Sequence, residues 1–212
     1  MNIDVQRAFQ EVYSSKVWGG TAADDFWSGP GSHLPEFVDP YLDAVRDFVA
    51  RLPVSVDAVD LGCGDFNIGS KLRGLFGRYV ACDIVPELVE RNKRRFADLD
   101  VEFQCLDLSS QTLPDGEVVF LRYVLQHLSN ERIVQLVPKL GVYKYLLLTD
   151  AIPKQDFVAN IDIPSGAGIR LHLDSGVVLT EPPFCLPIKS AKVLREYAWG
   201  AEAVIKTVLY EL

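Results

Sequence analysis

The chain has 212 residues, 49% of them hydrophobic and 24% charged, and carries a net charge of −8. That length supports one sizeable core without requiring a second domain, and the acidic balance argues against a nucleic-acid surface, whose affinity comes mainly from neutralised phosphates. No apolar run approaches the ~20 residues of a spanning helix, and Met1-Asn2-Ile3-Asp4 lacks the basic then apolar layout of a signal peptide, so the chain is expected to be cytoplasmic with no membrane partner.

Residues 1–37 are polar and interrupted by Gly19-Gly20 and Ser28-Gly29-Pro30-Gly31-Ser32, yet they carry Trp18, Phe26 and Trp27. They read as an N-terminal arm that either folds over a ligand as a lid or packs on a sheet edge. Residues 38–212 read as one domain. Tyr41, Leu42, Val45, Phe48, Val49 and Leu52 recur at three- and four-residue steps, which predicts an amphipathic helix over 38–52. Strands are expected at 56–61, 78–83, 101–106, 117–123 and 143–149, with helices at 67–76, 86–96 and 130–139 between them. Near-continuous apolar strands alternating with helices imply a parallel sheet covered on both faces. The proline-bearing stretch 151–190 reads as an inserted loop region with short strands near 169–173 and 177–179. Runs at 193–199 and 203–210, joined near Gly200, close the chain as an antiparallel hairpin. The four cysteines, Cys63, Cys82, Cys105 and Cys185, lack metal-ligand spacing and read as reduced, buried thiols. The basic run Arg91–Arg95 reads as a solvated helix face.

In such a sheet a ligand sits beyond the C-terminal strand ends, near the point where strand order reverses. Polar residues stand at each of those ends: Asp60 and Asp65 around the first turn, Asp83, Asp107, then Arg122 and Tyr123, and Asp150. Gly62 and Gly64 open a tight turn, but the third glycine of a dinucleotide fingerprint is replaced by Asn67. An anion at Asp65, directly after the second glycine, suits a pyrophosphate poorly and is compatible with a cofactor that carries an amino group instead.

The run Val59-Asp60-Leu61-Gly62-Cys63-Gly64-Asp65-Phe66 resembles motif I of the class I S-adenosylmethionine-dependent methyltransferases. Asp83-Ile84-Val85-Pro86 is similar to that family's acid after the second strand, Leu106-Asp107-Leu108 to its aspartate after the third, and residues 121–129 to the fourth-strand region of its small-molecule members. The resemblance implies a doubly wound, Rossmann-like, seven-stranded α/β sheet, parallel except for its C-terminal hairpin strand. It implies S-adenosylmethionine as cofactor and S-adenosylhomocysteine as product. Gly62, Cys63 and Gly64 would approach the methionine part, with Asp60 supporting the turn. Asp83 would bind the ribose hydroxyls beside Ile84, Asp107 the adenine amino group beside Leu108, and Arg122 would lie near the methionine end.

Methyl transfer needs alignment of two bound reactants and, for some oxygen or nitrogen acceptors, a base. His127, after the fourth strand, is the first candidate for base or substrate contact; Tyr123 is a candidate for lining the transfer channel and Asp150 for orienting the acceptor. Arg170-Leu171-His172-Leu173-Asp174 and Pro182-Pro183-Phe184 are expected to wall the substrate pocket. The expected activity is methyl transfer to a small-molecule or sugar-like acceptor, with no metal and no nucleic-acid partner. The rival readings are an NAD-dependent oxidoreductase and a non-catalytic S-adenosylmethionine-binding protein.

Overall fold

Period-two sorting of apolar side chains builds the sheet. In the computed structural model, which describes residues 3–21 and 25–212, strands form at β1 (Ala58–Leu61), β2 (Tyr79–Asp83), β3 (Glu102–Cys105), β4 (Val118–Arg122), β5 (Tyr145–Pro153), β6 (Ser190–Trp199) and β7 (Ala203–Glu211). Residues 1, 2 and 22–24 of the expected arm lie outside the described residues. Val59 and Leu61, Val80 and Cys82, Val119 and Leu121, Leu146 and Leu148 pack into one core cluster. Their strand neighbours Ala58, Tyr79, Ala81, Val118, Phe120 and Leu147 pack into another. Helix α5 (Asn130–Leu140) supplies Ile133, Leu136 and Val137 to the first cluster, and α2 (Pro35–Val49) supplies Val38, Tyr41 and Val45 to the second. A sheet covered on both faces is what continuous apolar strands require.

The seven strands lie in the order β3-β2-β1-β4-β5-β7-β6. The first five are parallel, whereas β7 runs antiparallel to both β5 and β6. The chain therefore has the mixed, Rossmann-like α/β sheet with a C-terminal antiparallel hairpin. Strand order reverses between β1 and β4, which places the crevice between the Gly62–Gly64 turn and Arg122.

Several elements differ from expectation. The arm contains a 12-residue helix, α1 (Ile3–Ser14), whose Val12 and Tyr13 are buried; its amphipathic pattern is short and is followed at once by the Gly19-Gly20 break. The helix after the glycine turn shrinks to α3 (Gly69–Leu72) with a 3-10 turn at Arg73–Leu75. β5 runs on to Pro153 because all nine of its residues pair with β7. Residues Arg170–Leu173 form a 3-10 turn instead of a strand, and 177–179 form none either. All four cysteines are free, yet only Cys82 is fully buried, while Cys105 and Cys185 are exposed. Helix α4 (Pro86–Arg95) keeps its expected place after Asp83.

Candidate active site

A cavity of about 310 Å³ opens at the C-terminal ends of β1, β2 and β4. Asp60, Gly62, Cys63, Gly64, Asp83, Ile84, Asp107, Leu108, Arg122, Tyr123 and His127 all line it, so eleven of the twelve sequence-nominated residues converge there. Asp150 does not line it. The extension of β5 leaves Asp150 inside the strand, opposite Lys206 of β7, rather than at its open end. It is buried with both carboxyl oxygens unpartnered among the described residues, and burial pushes its pKa well up.

The glycine turn is held by polar contacts from three sides. Gly64 has φ +55, and a Cβ there would collide with Ser28 Oγ, so a bare backbone is required both for the turn and for the arm above it. Gly64 N–H donates to Asp83 Oδ2 at 3.0 Å and Val85 N–H to Asp83 Oδ1 at 3.1 Å. Asn92 Nδ2, on α4, donates to the Gly64 carbonyl at 2.7 Å. Burial raises the Asp83 pKa to about 6 against those two amide hydrogen bonds. Burial also raises Asp60 to about 7, although the Tyr79 hydroxyl donates to it at 3.2 Å and Arg122 lies near.

Asp107 sits in a different environment. Its Oδ1 accepts from Arg132 Nη1 and Ser109 N–H, each at 3.0 Å, and its Oδ2 from the Ser110 hydroxyl at 2.8 Å. Burial opposes the charge, but these donors hold its carboxyl below the usual range. Three of roughly four acceptor positions on this carboxylate are spent inside the protein, and the neighbouring Ser109 hydroxyl is buried without a partner among the described residues.

Asp65 turns away from the role its position invited. Its Oδ2 accepts from Ser28 N–H at 2.8 Å and pairs with His33 Nε2 at 2.6 Å, and its Oδ1 accepts from Asn67 N–H at 3.1 Å. Its own N–H donates to Ser28 Oγ at 2.8 Å. Burial works against ionisation here, yet His33 and the two amides hold Asp65 below the usual carboxylate range. The acid is thus consumed in fastening residues 28–33 over the turn. Arg122 fastens the same segment from the other side, donating to the Gly31 carbonyl at 2.6 Å and to Ser32 Oγ at 3.2 Å. Its guanidinium lies over the Tyr41 and Tyr123 rings, 4.8 Å and 4.4 Å from their centroids. Tyr123 has φ +56, a strained turn for a bulky residue, and packs so close that a Cβ on Gly31 would stand 2.6 Å from its ring.

The rest of the arm closes the cavity mouth. Phe9, Tyr13, Trp18 and Phe26 pack with Ile84, Val85 and Leu88, and the Tyr13 hydroxyl pairs with Ser28 Oγ at 3.1 Å. Phe9, Tyr13, Trp18, Ser28 and residues 29–32 all contribute to the lining. Sequence reading singled out the Ser28–Ser32 run and Trp18 but missed His33, Tyr13, Asn92, Arg132 and Ser109 as parts of the site.

His127 is buried, with its ring 4.9 Å from Trp18. Nδ1 faces the Gly168 carbonyl at 3.1 Å, so it carries the proton, and Nε2 then accepts from Gln126 Nε2 at 3.2 Å. Burial lowers its pKa to about 4. Both nitrogens are engaged within the protein, which leaves no free lone pair for a base.

The loop 151–190 does reach the cavity, through Ala167 and Ile169, while His172 lies exposed outside it. Arg170, 1% exposed, is an anchor and not part of the wall. It donates to the carbonyls of Ile161, Leu125 and Leu128 and to Asn130 Oδ1 at 2.7–3.1 Å. Asn160 pins the far side of the loop, accepting from Val178 N–H at 2.8 Å and donating to the Val178 and Pro182 carbonyls at 2.9 Å. Pro182, Pro183 and Phe184 are likewise absent from the cavity lining.

Residues 58–141, which carry the glycine turn and the acids after β2 and β3, match a family model described as a methyltransferase domain. No curated protein matches the chain. Among solved structures, the chain is similar to the N-methyltransferase NodS from Bradyrhizobium japonicum WM9 in complex with S-adenosyl-L-homocysteine, at 13% identity over 95% of this chain and 98% of that one, with a TM-score of 0.63. It is also similar to the N-terminal domain of EvdMO1 with S-adenosylhomocysteine bound, at 16% identity over 100% and 97% of the two chains and a TM-score of 0.61. A third similar structure is a S-adenosylmethionine-dependent methyltransferase from Leishmania major, at 16% identity over 83% and 74% with a TM-score of 0.59. Residues 58–141 thus carry the match to a methyltransferase domain, and the similar solved structures show that the whole chain has their Rossmann-like fold.

Proposed function

We propose that the chain is a class I methyltransferase that takes S-adenosylmethionine as methyl donor and acts on a small-molecule acceptor, sugar-like molecules included, in a cavity lined on one side by its own N-terminal arm. The observation that carries this reading is the continuity of one cavity from Asp83 and the glycine turn, past Arg122 and Tyr123, to Ala167, Ile169 and Trp199. Its volume of about 310 Å³ lies within the range of small-molecule and cofactor sites. No helix among the described residues is long and apolar enough to cross a membrane. The −8 charge supports the absence of a nucleic-acid partner, and four free cysteines support a cytoplasmic setting.

The lining suits the cofactor. Asp83 spends one amide hydrogen bond on each carboxyl oxygen, which leaves lone pairs for two ribose hydroxyls, with Ile84 beside them against the adenine. The unpartnered Ser109 hydroxyl, positioned through Asp107, joins Leu108 at the adenine end. Gly62, Cys63 and Gly64 present backbone to the methionine part, while Asp60 and Arg122 flank it. The bound cofactor supplies an electrophilic methyl group on a sulfonium; the protein contributes alignment and exclusion of water. Tyr123 lines the path between the two ends, and His127, with Gln126 and Gly168, serves as a fixed wall. Titration of S-adenosylhomocysteine and of NAD by calorimetry tests the reading: binding of the former and none of the latter is expected, and the reverse overturns it.

A further inference from the structure

We infer that the acceptor presents a planar aromatic ring to the cavity, seated among Phe37, Tyr123, Ile169 and Trp199. The inference rests on the cofactor placement proposed above and narrows the acceptor class stated there. On the side left to the acceptor, the lining carries Phe37 from α2, Tyr123 from the turn after β4, Ala167 and Ile169 from the 151–190 loop, and Trp199 and Ile205 from the β6–β7 hairpin. Segments distant in sequence thus bring apolar carbon and ring surface to one place. The rings are fixed before any ligand arrives. Phe37 stacks on Tyr197 with centroids 6.0 Å apart, the Tyr197 hydroxyl donates to the Phe37 carbonyl at 3.0 Å, and the Tyr123 hydroxyl donates to that of Tyr197. Tyr197 lies outside the lining, so Tyr123 spends its hydroxyl behind the wall and offers its ring. Preorganised surface of this kind loses little freedom on binding.

The polar side chains on this side already hold protein partners. Gln126 accepts from Ala151 N–H at 3.1 Å and donates to His127 Nε2 at 3.2 Å, while His127 Nδ1 is taken by the Gly168 carbonyl. Ser32 Oγ accepts from Arg122, whose other terminal nitrogen donates to the Gly31 carbonyl. The groups with open hydrogen-bonding positions stand at the cofactor end. They are Asp60, whose one hydrogen bond among the described residues comes from Tyr79, Asp83, the Ser109 hydroxyl and the Trp18 indole, which packs with Tyr13 near Ile84. A sugar ring would bring several hydroxyls to the acceptor side, and each polar group buried there without a partner costs free energy. An aromatic ring needs no such partner. It gains from the apolar area it covers and from edge or offset contacts with the rings around it.

The test uses the full chain loaded with S-adenosylhomocysteine and three probes of similar size, titrated by ligand-observed NMR: 4-methylphenol, its saturated counterpart 4-methylcyclohexanol, and methyl α-D-xylopyranoside. The phenol is expected to bind about tenfold or more tightly than the xyloside and about threefold or more tightly than the saturated alcohol. Trp199→Leu, which keeps apolar bulk and removes the ring, should weaken the phenol by about threefold or more. Ile169→Asp, which sets a carboxylate in the apolar wall, should weaken it by about tenfold or more. Thermal unfolding of both variants checks that they fold. Equal or tighter binding of the xyloside or the saturated alcohol, binding of none of the probes, or a phenol affinity unmoved in either folded variant overturns the inference. Failure of the protein to take up S-adenosylhomocysteine at all would instead overturn the cofactor placement.

Discussion

The two halves of the cavity are built by different means. The half proposed for the cofactor, from β1 to the loop after β3, rests on local rules: a strand, a turn with positive φ at Gly62 and Gly64, and an acid at or just past the ends of β2 and β3. The acceptor half is assembled from segments far apart in sequence, residues 28–33, the 160–185 loop and the β6–β7 hairpin, joined by side chains that reach across to distant backbone. Local spacing makes the first half recognisable one residue at a time. The second half owes its shape to anchors such as Arg170 and Asn160, whose partners lie up to about 45 residues away.

Removing the main anchor of the acceptor half should have the largest effect. Arg170→Met would leave the carbonyls of Leu125, Leu128 and Ile161 without their donor in a buried site, at a cost of about 3–5 kcal/mol. Chemical denaturation is expected to show that loss; a change below about 1 kcal/mol would show that the loop holds without it.

A smaller effect is expected in the cofactor half, where Asp83→Ala should weaken S-adenosylhomocysteine by about 1–3 kcal/mol, read by calorimetry. The same acid predicts a pH dependence. Its carboxyl titrates at about 6 in the free protein, and the ribose hydroxyls need the ionised form as acceptor. Affinity should therefore be full above pH 6 and fall as the pH drops below it, by up to about tenfold per unit. Asp83→Asn should flatten that slope. A slope that persists in Asp83→Asn would assign the titration to another group, with Asp60 next in line.

The smallest effect tests the seam between the halves. Ser28→Ala removes the acceptor for Asp65 N–H and the partner of Tyr13, worth about 1 kcal/mol. Hydrogen exchange should quicken in α1 and residues 28–33 and stay unchanged in β1, β2 and β4. Equal quickening everywhere would mean that the arm is not a separable cover.

The same contrast explains how much could be read in advance. The parallel sheet, the closing hairpin and the convergence of Asp60, Asp83, Asp107 and Arg122 were legible because buried strands and turn residues follow period and spacing. The fastening role of Asp65 was not legible because its partners, Ser28 and His33, lie 37 and 32 residues upstream and no periodicity links them. His127 stands where a base would, but the Gly168 carbonyl that occupies its Nδ1 comes from a loop 41 residues on. Asp150 reads as a strand end because the run of large apolar residues stops just before it, whereas antiparallel pairing with β7 carries the strand onward to Pro153. Arg170, charged yet 1% exposed, is invisible to hydrophobic pattern because its burial is made possible by four hydrogen bonds to distant partners.

The most direct measurement is a crystal structure with S-adenosylhomocysteine bound. The ribose hydroxyls should lie within hydrogen-bond distance of Asp83, the adenine beside Leu108 and Ser109, and the sulfur should face Tyr123 beneath an arm still fastened through Asp65 and Arg122. A ligand bound outside the cavity, or one that leaves Asp83 untouched, would contradict the account.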